Sequence, residues 1–103
     1  MEIIKKLSNM ISEEIKDAKK YASCAVKYKK ELPALGQLFY ALSGEELGHM
    51  NRLHDAVVGI IDEYKKAKGE PPPSMKAVYD FLHELQIEAV EEVKTLQAMY
   101  REN

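Results

Sequence analysis

The sequence LSGEELGHMNRL, residues 42–53, sets the architecture expected for this chain, because an apolar helical stripe is interrupted there by Glu46 and His49. Each residue of a helix turns by about 100°, so one arc centred on Glu46 collects apolar side chains before and after it. These are Leu35, Leu42, Leu53, Val57, Ile60 and Tyr64. His49 lies one turn further on, so both polar groups can reach one point inside a bundle.

A carboxylate at the Glu46 position needs a partner. Burying an unpaired carboxylate costs several kcal/mol as an order of magnitude, so something must neutralise it. A divalent metal bound by carboxylate oxygen and imidazole nitrogen would do so, and a Lys or Arg from another helix is the alternative.

The N-terminal third of the chain predicts a second such helix, from about Glu2 to about Leu32. Apolar residues recur there at the helical period, and neither proline nor glycine interrupts them. They are Ile3, Leu7, Met10, Ile11, Ala18, Tyr21, Ala25 and Tyr28. Glu14 shares an angular position with Leu7 and Tyr21, so this helix also directs an acid at its core.

Pro33 ends the first helix and opens the next, because proline disfavours a helical conformation in the preceding residue and suits a first turn. The second helix should run from about Pro33 to Lys68, with Gly69 as its stop. Its interior glycines each cost roughly 1 kcal/mol against alanine, which suggests close approach by another helix or a local kink. Three of them fall near one ridge, namely Gly44, Gly48 and Gly59.

The proline-rich segment 70–74 should be a stiff connector, with Ser74 able to cap a third helix from about Met75 to about Arg101. The apolar face of this helix comprises Val78, Leu82, Leu85, Ala89, Val93, Leu96 and Tyr100. Glu92 lies near the edge of that face. The chain is therefore expected to be all-α, with residues 1–103 forming one domain.

Charge and composition limit the classes of binding partner expected for this chain. The chain has 15 basic and 17 acidic residues, a net charge of −2, and no basic stripe stands out, which disfavours nucleic acid. No stretch has the length and hydrophobicity of a membrane span or the pattern of a signal peptide, so we expect a cytoplasmic protein without a membrane partner. Cys24 is the only cysteine, which excludes an internal disulfide or a Cys-x-x-Cys site.

Two helices that each direct a glutamate inward, one of them with a histidine three residues later, match the needs of a carboxylate-bridged di-metal centre. Carboxylates bridge two cations and cancel their charge, whereas each imidazole caps one metal through a neutral nitrogen.

These residues resemble the ferritin-like superfamily, in particular the rubrerythrin-type and encapsulated-ferritin-type di-iron proteins. The resemblance rests on Glu14 with Tyr21 two turns later, and on Glu45-Glu46-Leu47-Gly48-His49. It implies two iron ions per site, with manganese or zinc as alternatives, and ferroxidase or peroxide-reducing oxidoreductase activity. Tyr21 would hydrogen-bond a bridging carboxylate or pack in the core, and any electron donor would be a separate protein.

The departure from the family pattern is a shortage of ligands, since the chain has three helices and one Glu-x-x-His element. A two-fold dimer, or a larger homo-oligomer, would complete a four-helix ferritin-like bundle in which Glu14, Glu46 and His49 recur across the axis. Otherwise the third helix belongs to the bundle and Glu92 becomes a ligand. His54 and His83 point elsewhere and join no site. The competing function is a non-catalytic helical oligomer or adaptor.

Overall fold

The computed structural model describes residues 2–102, which form three helices and no strand. They are α1 (Glu2–Tyr28), α2 (Pro33–Lys68) and α3 (Pro73–Glu102). Successive helices run in opposite directions, so α1 and α3 are parallel and the molecule is elongated, measuring 56 × 18 × 18 Å. The prediction of an all-α chain with three long helices is confirmed. No helix among the described residues has a stretch long and apolar enough to span a membrane.

The first helix ends one turn earlier than predicted, at Tyr28 rather than Leu32. Leu32 has φ −135° and ψ 73°, outside the helical region, because the ring of Pro33 disfavours that region for the residue before it. The amide of Leu32 donates to the Tyr28 carbonyl at 2.9 Å, so the turn is tight. Gly69 ends α2 as predicted, with a positive φ of 80°.

Ser74 does not cap α3, contrary to the sequence prediction. The helix begins at Pro73, and the carbonyl of Pro72 accepts hydrogen bonds from the amides of Met75 at 3.0 Å and Lys76 at 3.1 Å. Proline suits the first helical position, because the N–H that it lacks would have no partner there. Ser74 therefore lies inside the first turn.

The core lies along α1, against which both other helices pack. Its buried members are Ile11, Ile15, Ala18, Ala22, Val57 and Val93. The closest approach is at Gly36, where an added Cβ would lie 3.0 Å from the Cα of Lys29. The sequence also suggested that another helix approaches the other glycines of α2. Within residues 2–102 of a single chain this is wrong, because a Cβ at Gly44, Gly48 or Gly59 would meet nothing within 4 Å.

One buried polar residue joins all three helices. The Ser43 hydroxyl donates to the carbonyl of Ala18 on α1 at 3.0 Å and accepts from the amide nitrogen of Gln97 on α3 at 2.9 Å. A buried hydroxyl with both partners costs little, whereas an unpaired one would be destabilising. Ser43 thereby fixes the relative heights of the helices around the middle of the bundle.

Candidate metal centre

The antiparallel pairing of α1 and α2 brings Glu14, Glu46 and His49 together. One ligand atom from each lies within 4.8 Å of the other two, and no other cluster of three or more such side chains occurs in residues 2–102. Nδ1 of His49 is 3.5 Å from Oε2 of Glu14 and 3.7 Å from Oε2 of Glu46. The two residues on α2 face the same way because they lie three positions apart on a helix.

The cluster lies at the edge of the core, and the prediction that both acids occupy the centre of their apolar faces was wrong. The buried side of α1 is centred on Ile11, Ile15 and Ala18, and the buried residues of α2 are Gly36, Ser43 and Val57. Tertiary packing explains the position of Glu14. α1 lies between two helices, so its buried stripe is turned toward α3 and leaves Glu14 at one margin.

A half-open surface surrounds the cluster, which we call the open α1–α2 face. It is defined by Ile3, Met10, Glu14, Tyr21, Leu35, Leu42, Glu46, His49 and Ile60. Ile3 is 44% exposed and Met10 is 40% exposed. The α1 residues that contact α3, including Ser8 and Lys19, project from the other side of α1. No helix of the described chain covers the open face.

Burial differs within the cluster. The side chain of Glu46 is 18% exposed, that of Glu14 is 28% exposed and that of His49 is 54% exposed. The carboxylates thus lie below the surface and the imidazole lies at it. A ligand that entered from the open face would meet His49 first.

The side chain of Glu46 lies against that of Glu14. Oε2 of Glu14 is buried and has no hydrogen-bond partner. A hydrogen bond from the protonated Glu46 side chain to Glu14 is the largest cause that raises the pKa of Glu46. Burial and the negative charges of Glu14 and Asp17 raise it further, while the positive charge of His49 lowers it.

These residues fit a divalent cation. Three donor atoms within 4.8 Å of one another surround a point less than 3 Å from each, so small side-chain rotations bring all three to the roughly 2.0–2.2 Å of a metal–ligand bond. Two carboxylate oxygens and one imidazole nitrogen suit iron, manganese or zinc. A cation would also satisfy the buried Oε2 of Glu14. One chain offers ligands for a single ion, with coordination positions left over.

The raised pKa of Glu46 predicts the pH dependence of stability in the metal-free protein. Because the native state holds this proton more tightly than the unfolded state, where the pKa is near 4.5, the free energy of unfolding should fall as pH rises above that value. Glu46→Gln removes the titration and should flatten this part of the curve. Denaturant unfolding of both proteins between pH 4 and pH 8 measures it. Curves of identical shape would contradict the prediction.

Two other residues predicted for the site contact partners outside this cluster in the single chain. Glu92 on α3 is 59% exposed and forms an ion pair of 2.7 Å with Lys19. The structure therefore does not bring Glu92 to Glu14, Glu46 and His49. The ring of Tyr21 stacks against that of Phe39 on α2, with centroids 6.1 Å apart.

One pair of candidate functional residues was missed by sequence analysis. His54 on α2 and His83 on α3 meet with ring centroids 5.2 Å apart. His54 has no carboxylate or histidine three or four residues away, and His83 has only Asp80 three residues before it, so no local pattern links the two histidines. Only the register between α2 and α3 brings them together.

Comparisons with known proteins leave the family open, because no family model, no curated protein and no solved structure matches this chain. The functional argument therefore depends on the geometry of the cluster.

Proposed function

We propose that this chain is a ferritin-like metal-binding protein whose carboxylate and histidine ligands hold iron for ferroxidase or peroxide-reducing chemistry. The observation that carries the proposal is the buried Oε2 of Glu14, which has no donor and lies beside the ligand atoms of Glu46 and His49. A buried acceptor without a donor is destabilising, and a cation removes that cost.

We further propose that two copies pair through the open α1–α2 face. Because a two-fold axis presents the same surface from both copies, Glu14, Glu46 and His49 would occur twice in one interface. Helices α1 and α2 of both copies would form the four-helix core, with α3 outside it. The apolar residues of the open face support this, since Ile3 and Met10 are large and substantially exposed.

Within such a pair the side chains have distinct roles. Glu14 and Glu46 would supply carboxylate oxygens that neutralise the cations, and His49 would supply an imidazole nitrogen. Bound iron would supply electron transfer to oxygen or peroxide, whereas the protein would supply ligand positions and a pocket shielded from water. A rubredoxin-type electron-transfer site needs pairs of cysteines, and this chain has one cysteine, so the electrons would come from a separate donor.

The non-catalytic alternative has an observation of its own. Nδ1 of His49 lies within 4.0 Å of both acids, so the imidazole can pair with the two carboxyl groups without a metal. In that case the chain is a helical oligomer or adaptor that keeps three polar residues in its interface. This candidate binds no metal in stoichiometric amounts.

Metal reconstitution tests the proposed function. Full-length protein loaded with Fe²⁺ under anaerobic conditions and desalted should retain about one iron per chain, measured by elemental analysis, with manganese and zinc as parallel samples. Oxygen or hydrogen peroxide added to the loaded protein should then produce a change in the near-ultraviolet spectrum that matches iron oxidation. Protein that retains none of the three metals is the adaptor.

A further inference from the structure

The stacked histidines between α2 and α3 are the strongest unassigned feature of the molecule. Their ring centroids lie 5.2 Å apart with an angle of 22° between the ring planes, and the ring of Tyr79 also stacks on His83, with centroids 5.8 Å apart. Both histidines are half-buried. His54 and His49 are five residues apart on α2 and project about 140° from each other, so this pair is separate from the carboxylate cluster.

The ring nitrogens of the pair are free to bind a ligand. Within residues 2–102, none of the hydrogen bonds or ion pairs involves a nitrogen of His54 or His83. A half-buried imidazole usually donates one ring N–H to a carboxylate or a carbonyl, and that bond fixes its tautomer. Here neither ring is fixed in that way, so water or a metal ion is the available partner.

The separation of the rings matches a shared ion. Zinc binds imidazole nitrogen at about 2.0–2.1 Å, and when the radius of the ring is added, two imidazoles on one tetrahedral ion have centres about 5 Å apart. The observed distance is 5.2 Å. Nearly parallel stacked rings do not direct both lone pairs at one point, so the rings must turn about the Cβ–Cγ bond. That torsion is soft in histidine, and the partial exposure of both rings leaves room for it.

We propose that His54 and His83 form a binding site for a zinc, nickel or copper ion that links α2 to α3. Imidazole donors without carboxylates favour these ions over iron or manganese, so the site differs from the carboxylate cluster in the metal that it selects. The proposal does not depend on the proposed function. It would remain if the protein bound no iron.

A metal ion bound by His54 and His83 would connect α2 and α3, which have few other contacts with each other. Helices α2 and α3 both pack on α1 but contact each other through individual side chains. Besides the two histidines, these contacts include the Ser43–Gln97 hydrogen bond and the stacked rings of Tyr40 and Tyr100. A bound ion would add a cross-link toward the opposite end of α2. Because it binds the native arrangement only, it should raise the stability of the bundle.

The test uses a full-length His49→Ala/Glu46→Ala variant, which lacks the carboxylate cluster. The chain has three histidines, so His54 and His83 are the only two left in this parent. We expect about one Zn²⁺ per chain by isothermal titration calorimetry, a higher thermal unfolding midpoint with Zn²⁺, and a Cu²⁺ paramagnetic resonance spectrum with couplings to two nitrogens that does not change with protein concentration.

Phenylalanine substitutions separate ligation from packing. His54→Phe and His83→Phe keep an aromatic ring in the stack but cannot bind metal, and each should weaken Zn²⁺ binding by about 10-fold or more, as loss of a metal-supporting group does. Affinity that is unchanged in both variants overturns the proposal. A Cu²⁺ spectrum of the parent that shows coupling to fewer than two nitrogens also overturns the proposal. This measurement does not require a His54 or His83 variant to fold.

Discussion

Glu46→Ala is expected to abolish stoichiometric iron binding while leaving the far-ultraviolet circular dichroism of the protein nearly unchanged. Glu46 supplies one of three donors and is the most buried of them, with 18% of its side chain exposed. Mutation of residues that merely support a metal ligand costs about 10- to 100-fold in affinity, so removal of a ligand should cost about 100-fold or more. Elemental analysis after desalting, together with titration of Fe²⁺, measures the loss.

The matched control for this substitution is Glu45→Ala. Glu45 is the adjacent residue on the same helix, carries the same charge and is exposed. It should bind iron as the unmodified protein does, because the change in net charge is the same and only the position differs. If Glu46→Ala retained full iron occupancy, the metal would lie elsewhere and the proposed centre would be wrong.

Met10→Lys is expected to convert the proposed dimer into a monomer and thereby to remove most of the iron binding that we propose. Met10 lies one turn before Glu14 on the open α1–α2 face and is 40% exposed. In a two-fold interface the substitution occurs twice, so two ammonium groups lose water together, and we expect the dimer to dissociate about 100-fold more readily. Light scattering and sedimentation at micromolar concentration measure the association.

Ile87→Lys serves as the control for the interface. Ile87 is an apolar residue of α3 and is 49% exposed, so the substitution has the same chemistry on a helix outside the proposed interface. It should leave both association and iron binding intact. An unmodified protein that is monomeric at micromolar concentration with full iron occupancy would contradict the dimer.

The boundaries of the helices were largely predictable because local chemistry sets them. Pro33 and Gly69 each act on their immediate neighbours, through a fixed ring and a positive φ respectively, and both predicted ends lie within a turn of the observed ones. The first helix was overestimated by one turn, because its end was predicted from Pro33, whereas the chain leaves the helix after Tyr28 and uses the next four residues to reverse direction.

The meeting of Glu14, Glu46 and His49 was also predictable, because two helical stripes that carry acids are expected to face each other. The rotation of α1 was not. The apolar stripe of α1 is wide enough to pack against both α2 and α3, and the sequence does not indicate which side of the stripe each helix covers. Glu14 was therefore predicted at the centre of the buried stripe rather than at its margin. The pairing of His54 with His83 depends on contacts between distant segments and has no local signal.

The position of α1 between its neighbours has a consequence for the order of folding. Hydrogen bonds between α1 and α3 join residues separated by 73 to 78 positions in the chain, whereas the Ser43 bond to α1 spans 25. Closing the shorter loop loses less chain entropy, so the α1–α2 hairpin should form before α3 docks. Glu14, Glu46 and His49 all lie in that hairpin, and a nascent chain would therefore bring these three side chains together before its third helix is in place.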